Sequence, residues 1–305
     1  MKLTNKSGLS IVWEKAVVDD YDHDQAGWRS ITGLNKPPQL VELVKRYGKN
    51  LTEDVDDRIW SLFGSACHYI LAKAAAAIPG AISEQRFITE CMGKQVGLKP
   101  DLLLPKLDGS FHLVDFKFIS VWAIIFEEYE EWFEQTNMYI HALKDRPCFV
   151  QAGDKLLPAD NFDITSASIE VAMRDWAASD ALKDHEYPQK KTKVIPVSIW
   201  TPDHAEKFLC DRVQKHITAE NSPDTKLEEC TAEDRWARPD KFAVKKEGAQ
   251  KALRVFDTRG EAVQLQKEKG AGYNIEYRPG ENIRCERYCP AKTICPQYMR
   301  IRPEF

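Results

Sequence analysis

The stretch Lys99-Pro100-Asp101-Leu102-Leu103-Leu104, then Leu107-Asp108-Gly109-Ser110, then Leu113-Val114-Asp115-Phe116-Lys117-Phe118 decides how this chain folds. Two apolar runs on either side of an Asp-Gly turn predict consecutive antiparallel strands. The side-chain period of two puts Asp115 and Lys117 on one face and Phe116 on the other. The hairpin brings Asp101 near Asp115. Two carboxylates and an ammonium at a strand end suit metal-dependent hydrolysis of a phosphodiester: the acids hold a hard cation through oxygen, and the lysine orients or deprotonates a water. Taken alone, an Asp-x-Lys triplet is equally the mark of a surface hairpin with a salt bridge.

Around this hairpin the pattern predicts further elements. A helix near Pro38–Tyr47 is followed by Gly48 as a C-cap. From Asp54 to Ala77, Val55, Ile59, Leu62, Phe63, Ala66, Ile70, Leu71 and Ala74 recur at helical spacing, and Pro79-Gly80 stops the run. Strands are expected over 83–91, 94–104 and 110–118, then an amphipathic helix over 127–143. Beyond it we expect a strand at 148–150, a helix over 164–178, an edge strand over 194–200 carrying Pro196, and a helix from Pro202 to about Thr218. Helices alternating with a meander of mixed strands make an α/β core rather than a doubly wound parallel sheet.

The chain has 305 residues, a formal net charge of −4 and 43% hydrophobic residues, which suits one large domain with an appendage. The mild acidity excludes an overall basic coat for nucleic acid but leaves room for a local basic groove. No apolar stretch follows Met1-Lys2-Leu3, and none approaches membrane-spanning length, so a cytoplasmic protein with no membrane partner is expected. In that compartment eight cysteines are thiols or metal ligands more readily than disulfides.

Other candidate residues flank the hairpin. In Gly64-Ser65-Ala66-Cys67-His68 the glycine would let another backbone approach, and His68, one turn on, shares its face; a neutral imidazole is a workable ligand for Mn²⁺ or Mg²⁺. Glu84 opens a strand at the edge of the site, or is an ordinary exposed acid. Gln135 and Tyr139 lie four apart on the following helix and share a face.

Together these residues resemble the PD-(D/E)XK nuclease superfamily, in its RecB-like exonuclease branch. The resemblance runs in order through Ser30-Ile31-Thr32, Gly64 to His68, Glu84, Pro100-Asp101, Asp115-Phe116-Lys117 and Gln135 to Tyr139. It implies a restriction-endonuclease-like α/β core, a mixed central sheet flanked by helices. It also implies metal ligation by His68, Asp101, Asp115 and the Phe116 carbonyl, a water positioned or activated by Lys117, and DNA contact or site support from Gln135 and Tyr139. The expected organisation is an N-terminal helical and loop segment over 1–60, the nuclease core over 61–219, and a C-terminal metal knot over 220–305.

That knot centres on Cys285-Glu286-Arg287-Tyr288-Cys289-Pro290 and Cys295-Pro296. Three close cysteines among prolines suit metal ligation better than a packed core, and four thiolates serve either a [4Fe–4S] cluster or structural Zn²⁺. Cys230 is the expected fourth ligand and Cys67 the alternative; Cys91, Cys148 and Cys210 are small buried hydrophobes. The segment is polar enough that ligation should supply its folding free energy. Its basic residues, Lys241, Lys245, Lys246, Arg254 and Arg284 among them, either line a phosphate-tracking groove or form a solvated face.

Several RecB-like exonucleases carry a similar iron–sulfur closure, and the run Cys230 to Trp236 with Tyr277-Arg278-Pro279-Gly280-Glu281 resembles a nuclease family of phages and prophages. The implied activity is metal-dependent exonuclease cleavage of linear single- or double-stranded DNA in phage recombination or processing. A phage recombination or single-strand-binding protein is the implied partner. The alternative is a catalytically inactive DNA-binding or assembly subunit that keeps the fold.

Overall fold

The computed structural model describes residues 1–20, 28–127, 129–153 and 155–302. They form two compact units. The first comprises Met1–Pro38 with Thr52–Asn221, the second Gln39–Leu51 with Ser222–Phe305. The N-terminal sixty residues are thus shared between the two units.

The first unit is mixed α/β and holds two five-stranded sheets. One runs in the order Thr192–Val197, Ile164–Met173, Phe111–Ile119, Leu102–Pro105, Ile82–Ser83. Only Ile164–Met173 and Phe111–Ile119 pair in parallel there, with Ile169 opposite Asp115 and Val171 opposite Lys117. The other sheet runs Lys155–Ala159, Cys148–Ala152, Phe87–Cys91, Lys94–Leu98, Arg29–Ser30.

The single strand expected over 94–104 is therefore two strands in two different sheets. Pro100 has no N–H to give a ladder and restricts Lys99, so the chain breaks over Lys99-Pro100-Asp101 and changes sheet. The strand expected over 83–91 is likewise split: Ile82–Ser83 and Phe87–Cys91 are separated at Glu84, whose φ of 53° is in the left-handed region.

The helix expected over 164–178 is a ten-residue strand, Ile164–Met173. Ile164, Ala167, Ile169, Val171 and Met173 are buried in the larger core. Period two holds from Ala167 onward, and β-branched residues favour that extended pairing. Pro196 lies on the outermost strand, as expected of a residue that cannot donate to a ladder.

Helices enclose the Phe111–Ile119 strand. On one side Leu113 and Ile169 pack with Met138 and Leu143 of the Glu130–Lys144 helix and with Leu209 and Val213 of the Pro202–Glu220 helix. On the other, Leu102, Val114 and Phe116 pack against Ala75 at the end of the Val55–Ala75 helix. That helix begins with a capping box in which Asp54 is the N-cap and Asp57 reaches back to it. Thr201 caps the Pro202–Glu220 helix. Cys91 and Cys148 are buried as expected; Cys210 is half-buried with its Sγ 3.3 Å from that of Cys91.

In the second unit the Pro38–Tyr47 helix, beyond its first residue, is tied to the C-terminal segment by Arg46, which meets Asp224 at 2.5 Å and Glu42 at 3.1 Å. Gly48 does not end the helix in a left-handed cap; it opens a 3₁₀ turn, Gly48–Asn50. The polar segment orders itself further than its composition implies. Arg254–Phe256, Lys241–Lys246 and Tyr273–Arg278 form an antiparallel sheet, and Ala243, Val244 and, from the Arg259–Lys269 helix, Ala262 are fully buried. This small core contributes burial energy of its own, so ligation is not the sole source of order there.

His216 is completely buried, with Nε2 3.1 Å from the Leu34 carbonyl. Burial pushes its imidazole down to about 4. It is neutral in the fold but protonates in the unfolded chain below about pH 6.5, so stability falls as pH drops from about 6.5 toward 4. His216→Gln, which keeps a donor for Leu34, should flatten the urea midpoint over that range; an unchanged slope would assign acid sensitivity elsewhere.

Candidate metal and hydrolytic site

Asp101 stands at the break where the chain passes from one sheet to the other, and the break makes it a hub. Its backbone carbonyl accepts from the Ser83 hydroxyl at 2.7 Å and the Glu84 N–H at 3.3 Å. Its Oδ2 accepts from the Phe116 N–H at 2.7 Å. His68 projects from the Val55–Ala75 helix with Nδ1 3.6 Å from both Glu84 Oε1 and Asp101 Oδ1. The ligand atoms of His68, Glu84 and Asp101 all lie within 4.8 Å of one another, the one such group of histidine, cysteine or acidic side chains among the described residues.

Asp115 and Lys117 share a face, as the strand period requires, and Lys117 Nζ lies 2.5 Å from Asp115 Oδ2. Asp115 is 2% exposed, and Oδ2 finds no donor in hydrogen-bond geometry. Asp115 is outside the close group of three; Phe116 gives its N–H to Asp101 and sets its ring 6.3 Å from that of His68. Glu84, open on sequence between site and surface, belongs to the close group.

Burial and the charge of Asp115 push the Asp101 carboxyl up to about 6, against the pull of His68, Lys117 and the Phe116 N–H. The Glu84 carboxylate beside it raises His68, although its burial acts the other way. Burial alone would raise Glu84, but His68 and Lys99, the latter 2.6 Å away, outweigh it and hold Glu84 low. A histidine and carboxylates converging beside the buried Asp115 carboxylate fit a hard or borderline divalent cation such as Mg²⁺ or Mn²⁺.

Behind the acids, Gln135 donates to the Tyr139 hydroxyl at 3.1 Å, and that hydroxyl meets Thr32 Oγ1 at 3.1 Å. Tyr139 is buried, its phenol pushed up by burial and by the charges of Asp115 and Asp101, so it braces the site from within. Gly64 departs from expectation. A Cβ placed there would meet nothing within 4 Å among the described residues, so none of their backbone approaches it.

Four thiols gather in the second unit. Burial first, then Asp234 and the thiols of Cys295, Cys285 and Cys289, push Cys230 up to about 12. Cys285 is pushed up to about 11 by burial, then by Cys289 and Cys295. Cys67 belongs to the first unit. Gln297 clamps the Cys230 backbone, accepting from its N–H at 2.9 Å and donating to its carbonyl at 2.8 Å. Gln39, 2% exposed, holds its side-chain oxygen 3.7 Å from Cys230 Sγ and 3.5 Å from Cys295 Sγ. Burial raises Cys148 and Cys210 in the same way, so it is the grouping of Cys230, Cys285, Cys289 and Cys295, not their acidity, that suits metal ligation. No three of the sulfurs lie within 4.8 Å of one another, whereas Zn–S bonds near 2.3 Å would hold them about 3.8 Å apart. Sequence gave no signal for Lys99, Gln39 or Gln297; each is recognisable only from the partner the fold supplies.

The raised Asp101 carboxyl has a consequence for the metal-free protein. Its folded value, about 6, exceeds its ordinary 3.8, so its contribution is full below about pH 4 and lost as pH rises through 6. In EDTA at neutral pH, Asp101→Asn should raise stability by about 1–3 kcal/mol. Added Mn²⁺ should stabilise wild type and leave Asp101→Asn unmoved; stabilisation of both by Mn²⁺ would place the ion elsewhere.

No family model matches the chain, and no curated protein matches it. A solved structure described as a crystal structure of SSO0001 is similar over 71% of this chain and 89% of that one, at 11% identity and a TM-score of 0.45, a likeness that carries no argument about activity.

Proposed function

We propose that the chain is a divalent-metal-dependent deoxyribonuclease of the PD-(D/E)XK type, with a restriction-endonuclease-like core, acting as an exonuclease on linear DNA in phage recombination or processing. The observation that carries this reading is the convergence of His68, Glu84 and Asp101 beside the pair of buried Asp115 and half-buried Lys117. A scaffold gains nothing from burying like charges, which cost several kcal/mol unless something neutralises them. No helix among the described residues is long and apolar enough to cross a membrane.

In this reading His68, Glu84 and Asp101 would hold Mg²⁺ or Mn²⁺, with Asp115 on the adjoining strand position. When bound, the ion would neutralise charge on the phosphoryl oxygens in the transition state and acidify the attacking water. Lys117, oriented by Asp115, would position that water and move its proton at Nζ. Tyr139, Gln135 and Thr32 would keep the acids from turning inward. In the second unit Cys230, Cys285, Cys289 and Cys295 would hold a [4Fe–4S] cluster, with structural Zn²⁺ the alternative that four thiolates equally serve.

The test is cleavage of end-labelled linear single- and double-stranded DNA with Mg²⁺, Mn²⁺ or EDTA. Metal-dependent shortening from an end should fall about 10²–10⁴-fold in Lys117→Ala with Mn²⁺ stabilisation intact. Residual activity equal to wild type would indicate a contaminant. No cleavage by the metallated wild type would leave a DNA-binding subunit that keeps the site's geometry.

Anaerobically purified protein should carry iron and sulfide with broad visible absorption, lost in Cys230→Ser and retained in Cys67→Ser. Stoichiometric zinc without iron would assign a zinc knot. No metal would contradict ligation altogether.

A further inference from the structure

His68 is also the first ring of a series. Its imidazole meets Phe118 edge-to-face at 5.5 Å, Phe118 meets Phe63 at 6.4 Å, and Phe63 meets Trp60 at 6.2 Å, with interplanar angles of 81° to 88°. Beyond Trp60 the Arg174 guanidinium lies 4.5 Å above the indole centroid. Trp60 and Phe63 are neighbours at i,i+3 on the Val55–Ala75 helix, and Phe118 of the central strand bridges from Phe63 to His68. Trp60 is 55% exposed and Phe63 43%. Gly64, four residues from both Trp60 and His68, has no described residue within 4 Å of where its side chain would stand.

We propose that this face is a track for single-stranded DNA, on which unpaired bases stack on Phe63 and Trp60 while the strand's end reaches His68, Glu84 and Asp101. The inference rests on the nuclease reading and adds its substrate class. Two adjoining exposed aromatic rings that continue to His68 suit a binding face. Three features select its occupant. The rings lead to the acid and histidine group, so whatever lies on them is delivered there.

The cation at the far end, stacked on Trp60, suits a phosphate backbone and opposes an apolar peptide. Neighbouring rings stand nearly perpendicular, 5.5–6.4 Å apart, rather than stacked on one another. Bases in a duplex are stacked on each other at about 3.4 Å and offer no free face, whereas an unstacked strand can place bases on successive rings.

The track predicts preference, not only affinity. Binding of short fluorescein-labelled oligo(dT), and of a blunt duplex of equal length, would be measured by anisotropy in EDTA with the full chain. Wild type should bind oligo(dT) at least about tenfold more tightly, with quenching of indole fluorescence. Trp60→Ala and Phe63→Ala should each weaken oligo(dT) about tenfold or more, Trp60→Phe within about threefold. Gly64→Leu, which adds a side chain with a good helix former and disturbs no ring, should also weaken it.

Circular dichroism and melting temperature unchanged from wild type would show the variants folded. Wild-type affinity in both Trp60→Ala and Phe63→Ala, or preference for duplex, would overturn the track. So would loss of self-association in Trp60→Ala with unchanged oligo(dT) binding, which would make the face a contact with a second copy. Trp60-dependent binding without metal-dependent cleavage would uphold the track and sink the nuclease reading; cleavage of single strands indifferent to both alanine variants would do the reverse.

Discussion

The hydrogen bond from the Phe116 N–H to Asp101 Oδ2 is the constraint on which the site depends. It fixes the carboxylate at the point where the two sheets part, and the same residue's carbonyl holds Ser83 and Glu84. Through that one residue the end of a short edge strand, the break at Pro100 and the central strand keep a common register. His68 needs only the helix behind Asp54 to arrive opposite. Without this tie Asp101 would have no donor offsetting its burial, and Glu84, at a positive φ, would lose the backbone partner that holds it there.

The charges make sense as a set. Asp101 and Asp115 are buried close enough to raise Asp101, Lys117 attends Asp115, and Lys99 attends Glu84. Two ammonium groups attend three carboxylates, and His68, raised by Glu84 and Asp101, is the further cationic group beside them. The arrangement offers a cation its ligands, and its lysine lies beside the acid that orients it. In the other unit Gln39 lies against the Cys230 and Cys295 thiols, and Gln297 holds the Cys230 backbone.

Much of this was legible where a local rule acts alone. Helical spacing set the Val55–Ala75 helix, and period two placed Asp115 and Lys117 together. The Asp-Gly turn set the pairing of Leu102–Pro105 with Phe111–Ile119. Ile164–Met173 was misread because serines and alanines between its apolar residues mimic helical spacing, and tertiary pairing with the central strand decided it. The change of sheet at Pro100 hid in an apolar run that continues on both sides. Glu84 stayed ambiguous until the fold supplied His68 and Lys99, and the ring series from His68 to Trp60 needed the strand that carries Phe118.

The most direct measurement is the anomalous scattering of crystals grown with Mn²⁺. The account requires a peak bounded by His68, Glu84 and Asp101 in the wild type and none in Asp101→Asn. A peak absent from that group in the wild type, or retained in the variant, would contradict the claim that these residues form a metal centre.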